Sequence, residues 1–403
     1  MLSARQFARK LRYHARRAQI QALAAPRALP WVRRRLRLPR NQVFDPLRDG
    51  EIPGVRIVPL DPAEVFTRPL PTLLAEDAAA AEFFSTRARE TIAPRYVAEF
   101  TDALAWGHPT GGVLTSDSRF VPALTHDPAG AAFHPIWTRF HLPTPRPLRG
   151  RTLYLVTPEA RDNYHHWLID LLPRLGLVRR AGFDLASFEH VIVNHAQRGY
   201  QLATLARLGI SPEKLIAADR SLLVRAEQLV VPSLKPVNQT LPASDVAFLR
   251  ETFLGSQSPT VAGRRIFLSS ADAAFRRLKN EAELRPWLEA QGFEILSLGK
   301  LDVATQAQLF FEASIIAGPA GAAFANLVFA TRPAQVVEIT PPQWLAAFHW
   351  MISARLGLAH ALVLGEGPIR SGVPDLAARH HDIVLRPEKL VAVLPRPTAI
   401  ATA

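Results

Sequence analysis

From residue 152 to residue 364, short apolar runs of strand length alternate with segments of helix length. That alternation constrains the fold more than any other feature of the chain. Thr152–Val156, Val191–Val193, Leu229–Val231, Arg265–Leu268, Phe293–Leu296, Ser314–Ala317, Gln335–Ile339 and Ala361–Leu364 read as strands. Asn163–Ala181, Tyr200–Leu208, Glu281–Gln291, Val303–Ala313 and Trp344–Leu356 read as helices, and Ala322 opens a shorter one. Parallel strands need crossovers of about this length, so the pattern predicts an α/β chain with parallel sheets covered on both faces.

The region before residue 128 is less regular. Val55–Leu60 reads as a strand and Leu73–Thr86 as a helix, while Tyr96–Leu124 suggests short strands broken by Gly107, Gly111, Gly112 and Asp117. Polar, proline-containing stretches at Pro232–Ser244 and Ser256–Gly263 flank a predicted helix and mark a boundary. The expected organisation is a basic tail over 1–45, an α/β domain over 46–245, a second over 246–365, and an extension over 366–403. Two Rossmann-like domains facing a cleft would bind ligands outside the carboxyl ends of their strands.

Charge is unevenly distributed. Residues 1–40 hold twelve of the 48 basic side chains and none of the 35 acidic ones, so the rest of the chain is close to neutral. Arg5, Arg9, Arg12 and Arg16 form a cationic helical stripe beside Phe7, Leu11, Ala15 and Ala18. Such a segment suits an anionic membrane surface; a solvated leader is the alternative. Nucleic acid is disfavoured, because few aromatics accompany the charge. The chain has no cysteine, which excludes disulfides and thiolate metal sites and fits a reducing, cytoplasmic compartment. No apolar run is long enough to predict a membrane-spanning helix.

The densest chemistry lies in Asn163-Tyr-His-His-Trp-Leu-Ile-Asp-Leu-Leu-Pro-Arg174. Asn163, His166 and Asp170 share one helical face, and His166 and Asp170 are four residues apart, so one can orient the other. Imidazole titrates near neutrality, which suits a general base; a helix-surface hydrogen bond is the bland alternative. Adjacent His165 and His166 point to different helix faces, so this is not a metal-ligand pair. Pro173 should kink the helix.

Two further constellations follow. Gly318-Pro-Ala-Gly321 through Asn326 joins a strand to a helix, either as a tight turn or as an anion cradle. Arg276-Arg277-Leu-Lys-Asn280-Glu281 follows a strand end, and paired arginines there suit a diphosphate. The competing reading is a helix start with Asn280 as its cap and Glu281 in the first turn. Glu338 at a strand end requires a polar partner, and a ribose hydroxyl would serve.

The order of these pieces resembles the glycosyltransferase 61 family, known in bacteria for capsular-polysaccharide biosynthesis. The matching elements are Asn163–Leu175, Phe275–Leu284, and Ala317–Phe329 followed by Val336–Ile339. The resemblance spans roughly residues 95–345. It implies a GT-B architecture and inverting transfer from a nucleotide sugar, expected to be UDP-linked, to a glycan or lipid-linked acceptor. No metal or other cofactor is expected. In that setting His166 or Asp170 would be the base and Asn163 would position it. Arg276, Arg277 and the amides near Gly318 and Gly321 would hold the diphosphate, with Asn280 and Glu281 in the same loop. Asn326 and Glu338 would contact the nucleoside or its loop. Location would be cytoplasmic, either free or peripheral at the inner face of the plasma membrane. Two departures stand out: Ala320 where relatives commonly carry histidine, and Ser270 where they often carry arginine. They open a second reading, a family member with an altered donor or no turnover. A third reading makes the basic tail the functional part.

Overall fold

The computed structural model describes residues 4–40, 42–73, 78–125, 131–235, 240–257, 263–367 and 380–394, without the side chains of residues 4–10 and 131. The chain is α/β and divides into two compact units: Met1–Ala63 with Ala93–Val237, and Glu64–Ile92 with Asn238–Ala403.

Unit 1 is built on one sheet. Its principal strands are β1 (Val55–Asp61), β2 (Arg95–Trp106), β3 (Arg146–Tyr154), β4 (His190–Asn194), β5 (Leu215–Ala218) and β6 (Leu223–Pro232). Their order is β1-β2-β6-β3-β4-β5. β6, β3, β4 and β5 run parallel, whereas β2 is antiparallel to β6 and to β1. The sheet is therefore mixed rather than all parallel as the sequence pattern predicted. The reason is local. Residues 95–106 form one twelve-residue strand, and the glycines read as breaks begin only after it ends at Trp106.

β3 has its successor β4 on one side and the later strand β6 on the other. That arrangement is a topological switch point, where a crevice opens beyond the carboxyl ends of parallel strands. The segment after β3 forms α3 (Tyr164–His166), a π turn over Trp167–Leu171, and α4 (Leu172–Arg180). Leu172 N–H donates to Trp167 O across the wide turn. Pro173 has no N–H to give and stands in the first turn of α4, where none is needed. The expected kink is thus a π turn one step upstream of the proline.

Arg174 ties this helix to the switch point. Its side chain is buried, and it donates to Tyr154 O (3.2 Å) and Val156 O (3.1 Å) at the end of β3, to Thr157 Oγ1 (2.9 Å), and to Pro232 O (2.9 Å) at the end of β6. Burial lowers its pKa to about 9.

The basic segment forms α1 (Ala4–Ala28) and α2 (Pro30–Leu36). The face of α1 that packs on unit 1 differs from the predicted apolar one. Leu23 and Arg27 are buried, Gln19 Nε2 donates to Thr138 O at 2.9 Å, and the Arg27 guanidinium lies 5.4 Å from the Trp137 ring centroid. Leu11 of the predicted stripe is exposed. The side chains of Arg5, Phe7 and Arg9 fall outside the described residues.

Unit 2 holds a wholly parallel sheet of β7 (Arg264–Leu268), β8 (Phe293–Leu296), β9 (Ala313–Pro319), β10 (Gln335–Thr340) and β11 (Ala359–Leu364). The order is β8-β7-β9-β10-β11, with the short Thr72–Leu73 strand pairing with β11. Residues 64–92 therefore contribute to the second sheet, although they precede the rest of it by more than 150 positions. The helices α5 (Ala243–Leu254), α6 (Glu281–Ala290), α7 (Val303–Glu312) and α8 (Phe348–Leu356) belong to this unit. Side chains alternate across the sheet as the pleat requires. Val337, Ile339, Ala361 and Val363 join Leu284, Leu288, Leu385 and Leu390 on one face, and Leu362 and Leu364 join Phe84 and Trp350 on the other. β7 and β9 flank this sheet's own switch point.

Arg174→Ala should remove four hydrogen bonds and leave strand-end carbonyls buried without donors. The expected loss is about 3 kcal/mol or more. It would appear as a lower urea midpoint, and Arg174→Lys should recover only part of it.

Candidate active site

Beyond the end of β3 the chain turns through Thr157–Asp162 and enters α3. Asn194 Oδ1 accepts from Thr157 N at 2.6 Å, and Gln201 Nε2 donates to Ala160 O (3.2 Å) and Arg161 O (2.9 Å). The turn is therefore held at both ends. Asn163 caps the helix by accepting from His165 N at 2.9 Å. That contact uses the Asn163 Oδ1 at the helix start.

His166 and Asp170 meet as the spacing predicted. His166 Nδ1 lies 2.8 Å from Asp170 Oδ2, with both side chains almost wholly buried. Two partners were not foreseen. Glu159 Oε2 lies 2.9 Å from His166 Nε2, and Lys235 Nζ lies 3.6 Å from Asp170 Oδ1. Lys235 is 4% exposed and Glu159 is 65% exposed. The row thus runs from a buried lysine through a buried carboxylate and imidazole to a carboxylate at the surface. It lies where β3 and β6 end.

The electrostatics follow from that order. Burial pulls the His166 pKa down, but hydrogen bonds to Asp170 and Glu159 outweigh it and raise the pKa from 6.5 to about 9. Burial works to raise Asp170, and the His166 hydrogen bond and the Lys235 charge outweigh it, so Asp170 stays below the ordinary carboxylate range. His166 therefore departs from the near-neutral pKa that its residue type predicts: between two carboxylates it holds its proton at neutral pH.

In unit 2 the predicted donor residues separate into three groups. The first lines a cavity of about 450 Å³ between the end of β7 and the start of α6, bordered by Ser270, Arg277, Lys279, Glu281, Arg285 and Asp382. Arg277 N–H donates to Asp382 Oδ1 at 3.0 Å, and its guanidinium lies 3.6 Å from Oδ2. Glu281 is buried and accepts from Ser269 Oγ, from Ser270 N (3.1 Å) and from Ser270 Oγ (3.2 Å). It closes the loop from within. Ser270 Oγ also accepts from Leu278 N at 2.9 Å, so this serine organises the loop's backbone.

The second group staples the switch point. Arg276, at φ 56°, turns away from the cavity; its Nε donates to Ala320 O at 2.8 Å and its guanidinium lies 5.0 Å from the Trp344 ring centroid. The paired arginines therefore do not act on one spot. Gly318 has φ 154°, and a Cβ there would come within 2.7 Å of Leu268 O. Its freedom serves the close approach of β9 to β7. Gly321 leads into the partly exposed first turn of the Ala322–Phe329 3₁₀ helix, where its carbonyl accepts from Phe324 N at 3.1 Å.

The third group is internal. Asn280 does not cap α6; its Nδ2 donates to Leu385 O (2.8 Å) and its Oδ1 accepts from Leu385 N (3.1 Å). Asn326 is fully buried and its Nδ2 donates to Gln306 Oε1 (2.8 Å) and Ala323 O (3.1 Å). Glu338 is also buried, at 2.7 Å from His349 Nδ1 and 3.2 Å from His360 Nε2. These contacts supply the polar partners that the sequence reading sought in a nucleoside. His349 and His360 carried no signal, because their pairing with Glu338 depends on strand order and on the packing of α8. Among the described residues, no group of three or more His, Cys, Asp or Glu side chains is arranged to hold a metal ion. No helix of the described residues is long and apolar enough to cross a membrane.

Glycosyltransferase 61 is the family whose model matches residues 164–337, from the first residue of α3 into β10. No curated protein matches the chain.

Glu338 generates a stability prediction. Burial raises its pKa, but the two histidines outweigh that and hold it at about 2, below the ordinary 4.5. A depressed carboxyl stabilises the fold fully above its unfolded pKa, and that contribution fades as pH falls from 4.5 towards 2. Glu338→Ala should cost about 3 kcal/mol near neutrality. The gap from the parent protein should narrow in acid, as read from urea midpoints across pH.

Proposed function

We propose, on the premise that residues 164–337 belong to the glycosyltransferase 61 family, that this chain moves a sugar from a nucleotide sugar to a glycan hydroxyl with inversion. The observation that carries the reading is the buried His166–Asp170 pair at the strand-end switch point of unit 1, at 2.8 Å. Inverting transfer needs one base. Once His166 has given its resident Nε2 proton to water, Nε2 takes the acceptor hydroxyl's proton, the acceptor oxygen attacks the anomeric carbon, and the bond to the diphosphate oxygen breaks with its electron pair. Asp170 holds Nδ1–H and stabilises the imidazolium, while Lys235 balances Asp170.

Donor chemistry falls to unit 2. Arg277, Lys279 and Arg285 surround a cavity at the end of β7, and guanidinium and ammonium groups suit a departing diphosphate. That charge comes from side chains, so the reading is of a metal-independent GT-B enzyme with a UDP-linked sugar as the first donor class to test. A role in cell-surface polysaccharide synthesis and a cytoplasmic site of action extend the same reading. Ser270 and Ala320 hold loop backbone in place, so the charge sought at those positions is drawn from Arg277, Lys279 and Arg285 instead.

A transfer assay over UDP-, GDP- and dTDP-sugars tests this. His166→Ala should lower kcat/KM about 100-fold or more, with Asp170→Asn lower as well. Arg277→Ala should raise the donor KM about tenfold or more. Parental turnover in folded His166→Ala and Asp170→Asn proteins would end the base assignment. Nucleotide-sugar binding without turnover by the parent would leave the non-catalytic reading in its place.

A second reading concerns the basic segment, and the exposure of α2 favours it. Trp31 is 69% exposed and Leu29 48%, beside exposed Arg34, Arg35 and Arg37. An aromatic anchor ringed by guanidinium groups fits an anionic lipid surface, with about 1 kcal/mol from each basic residue near the headgroups. The protein should float with phosphatidylserine-containing vesicles and not with neutral ones. Trp31→Ser with Arg34→Ala and Arg35→Ala should weaken that partition at least about tenfold.

A further inference from the structure

We propose that Glu159 is a latch on the base: its carboxylate occupies the Nε2 face of His166 in place of the acceptor hydroxyl, and the incoming hydroxyl displaces it. The inference rests on His166 as the base. An imidazole has two nitrogens, and Asp170 holds Nδ1 at 2.8 Å. Nε2 is then the only position from which His166 can take a proton, and Glu159 sits on it at 2.9 Å.

The two carboxylates differ in how they are held. Asp170 is 3% exposed and is backed by Lys235, whereas Glu159 is 65% exposed. The backbone on either side of Glu159 is fixed by Asn194 and Gln201, as described above, so a side-chain rotation is sufficient to release it. Glu159 has φ 62°, a left-handed conformation rare for a residue with a Cβ, which aims its side chain back at His166. It also lies before the family match begins at residue 164.

Charge balance gives the latch its chemical effect. Among the described residues, the groups facing the imidazole include Asp170 from its own helix, Glu159 from the preceding turn, and the neighbouring His165 ring at 5.6 Å, with Lys235 behind Asp170. With Glu159 in place, a protonated His166 and Lys235 balance two carboxylates. With Glu159 rotated into solvent, a protonated His166 keeps one carboxylate partner instead of two, and together with Lys235 and Asp170 it leaves the buried row with a net positive charge. Release of Glu159 therefore favours loss of the Nε2 proton to water. The freed lone pair then accepts a hydrogen bond from the acceptor hydroxyl and, in the transfer step, its proton. Without acceptor the base stays occupied and charged.

Glu159→Gln keeps the side chain's shape and removes its charge. The His166 titration, followed by NMR and assigned among the 13 histidines by the signal lost in His166→Gln, is the direct test. Its midpoint should move about one to three pH units towards acid in Glu159→Gln, and likewise in Glu159→Ala. The acid limb of kcat/KM should move with it. An unmoved midpoint in both variants overturns the latch, whatever the rate does, because the titration needs no turnover. A midpoint that moves while the rate profile stays fixed shows that His166 is not the base, which overturns the proposed function and the displacement step built on it.

Discussion

A buried guanidinium holds the first unit's site together. Where β3 and β6 end side by side, their last carbonyls point into a space that no further strand covers. Arg174 fills that space and donates to both strands. A planar cation with five N–H donors can serve several carbonyls at once, which an ammonium cannot match in geometry. Because Arg174 follows the π turn, the same contact fixes the rotation of the helix that carries His166 and Asp170. A strand-end crevice is thereby converted from an energetic liability into a frame for the imidazole.

Two polar clusters of this protein illustrate how differently one residue pairing can be used. In unit 1, His166 sits between a buried carboxylate and one at the surface, so its proton has an exit. In unit 2, Glu338 sits buried between two histidines, one on α8 and one on β11. The chemistry of the groups is the same; access decides the role. The first is suited to proton transfer, the second to fixing how a helix lies on its sheet. The loop after β7 shows a third use, in which Glu281 gathers Ser269 and Ser270 so that the basic groups around it are displayed on an ordered backbone.

Legibility in the sequence tracked the range of the interaction. Helix and strand positions after residue 150 were readable because the apolar period is local, and the His166–Asp170 contact was readable because four residues make one helical turn. Glu159 precedes His166 by seven residues, yet no periodic pattern links a turn to a helix face. Lys235 is separated from Asp170 by three further strands, and only the return of β6 beside β3 brings it there. Arg276 and Arg277 read as a pair because they are adjacent, but with a left-handed backbone at Arg276 the two side chains meet different partners, Ala320 O and Asp382. Glu338 read as a ligand contact because a carboxylate at a strand end needs a polar partner, and Asn326 through the family resemblance; both have partners within the protein.

The amino-acid sequence by itself determined the α/β character, the crossover helices, the imidazole–carboxylate pair and the concentration of basic charge at the amino terminus, since each follows from spacing over a few residues. Tertiary structure alone decided which strands became neighbours, that residues 64–92 contribute to the second sheet, and which nitrogen of His166 faces a second carboxylate. Those outcomes depend on closing long loops between distant segments, and their energies come from burial and pairing that no local pattern encodes.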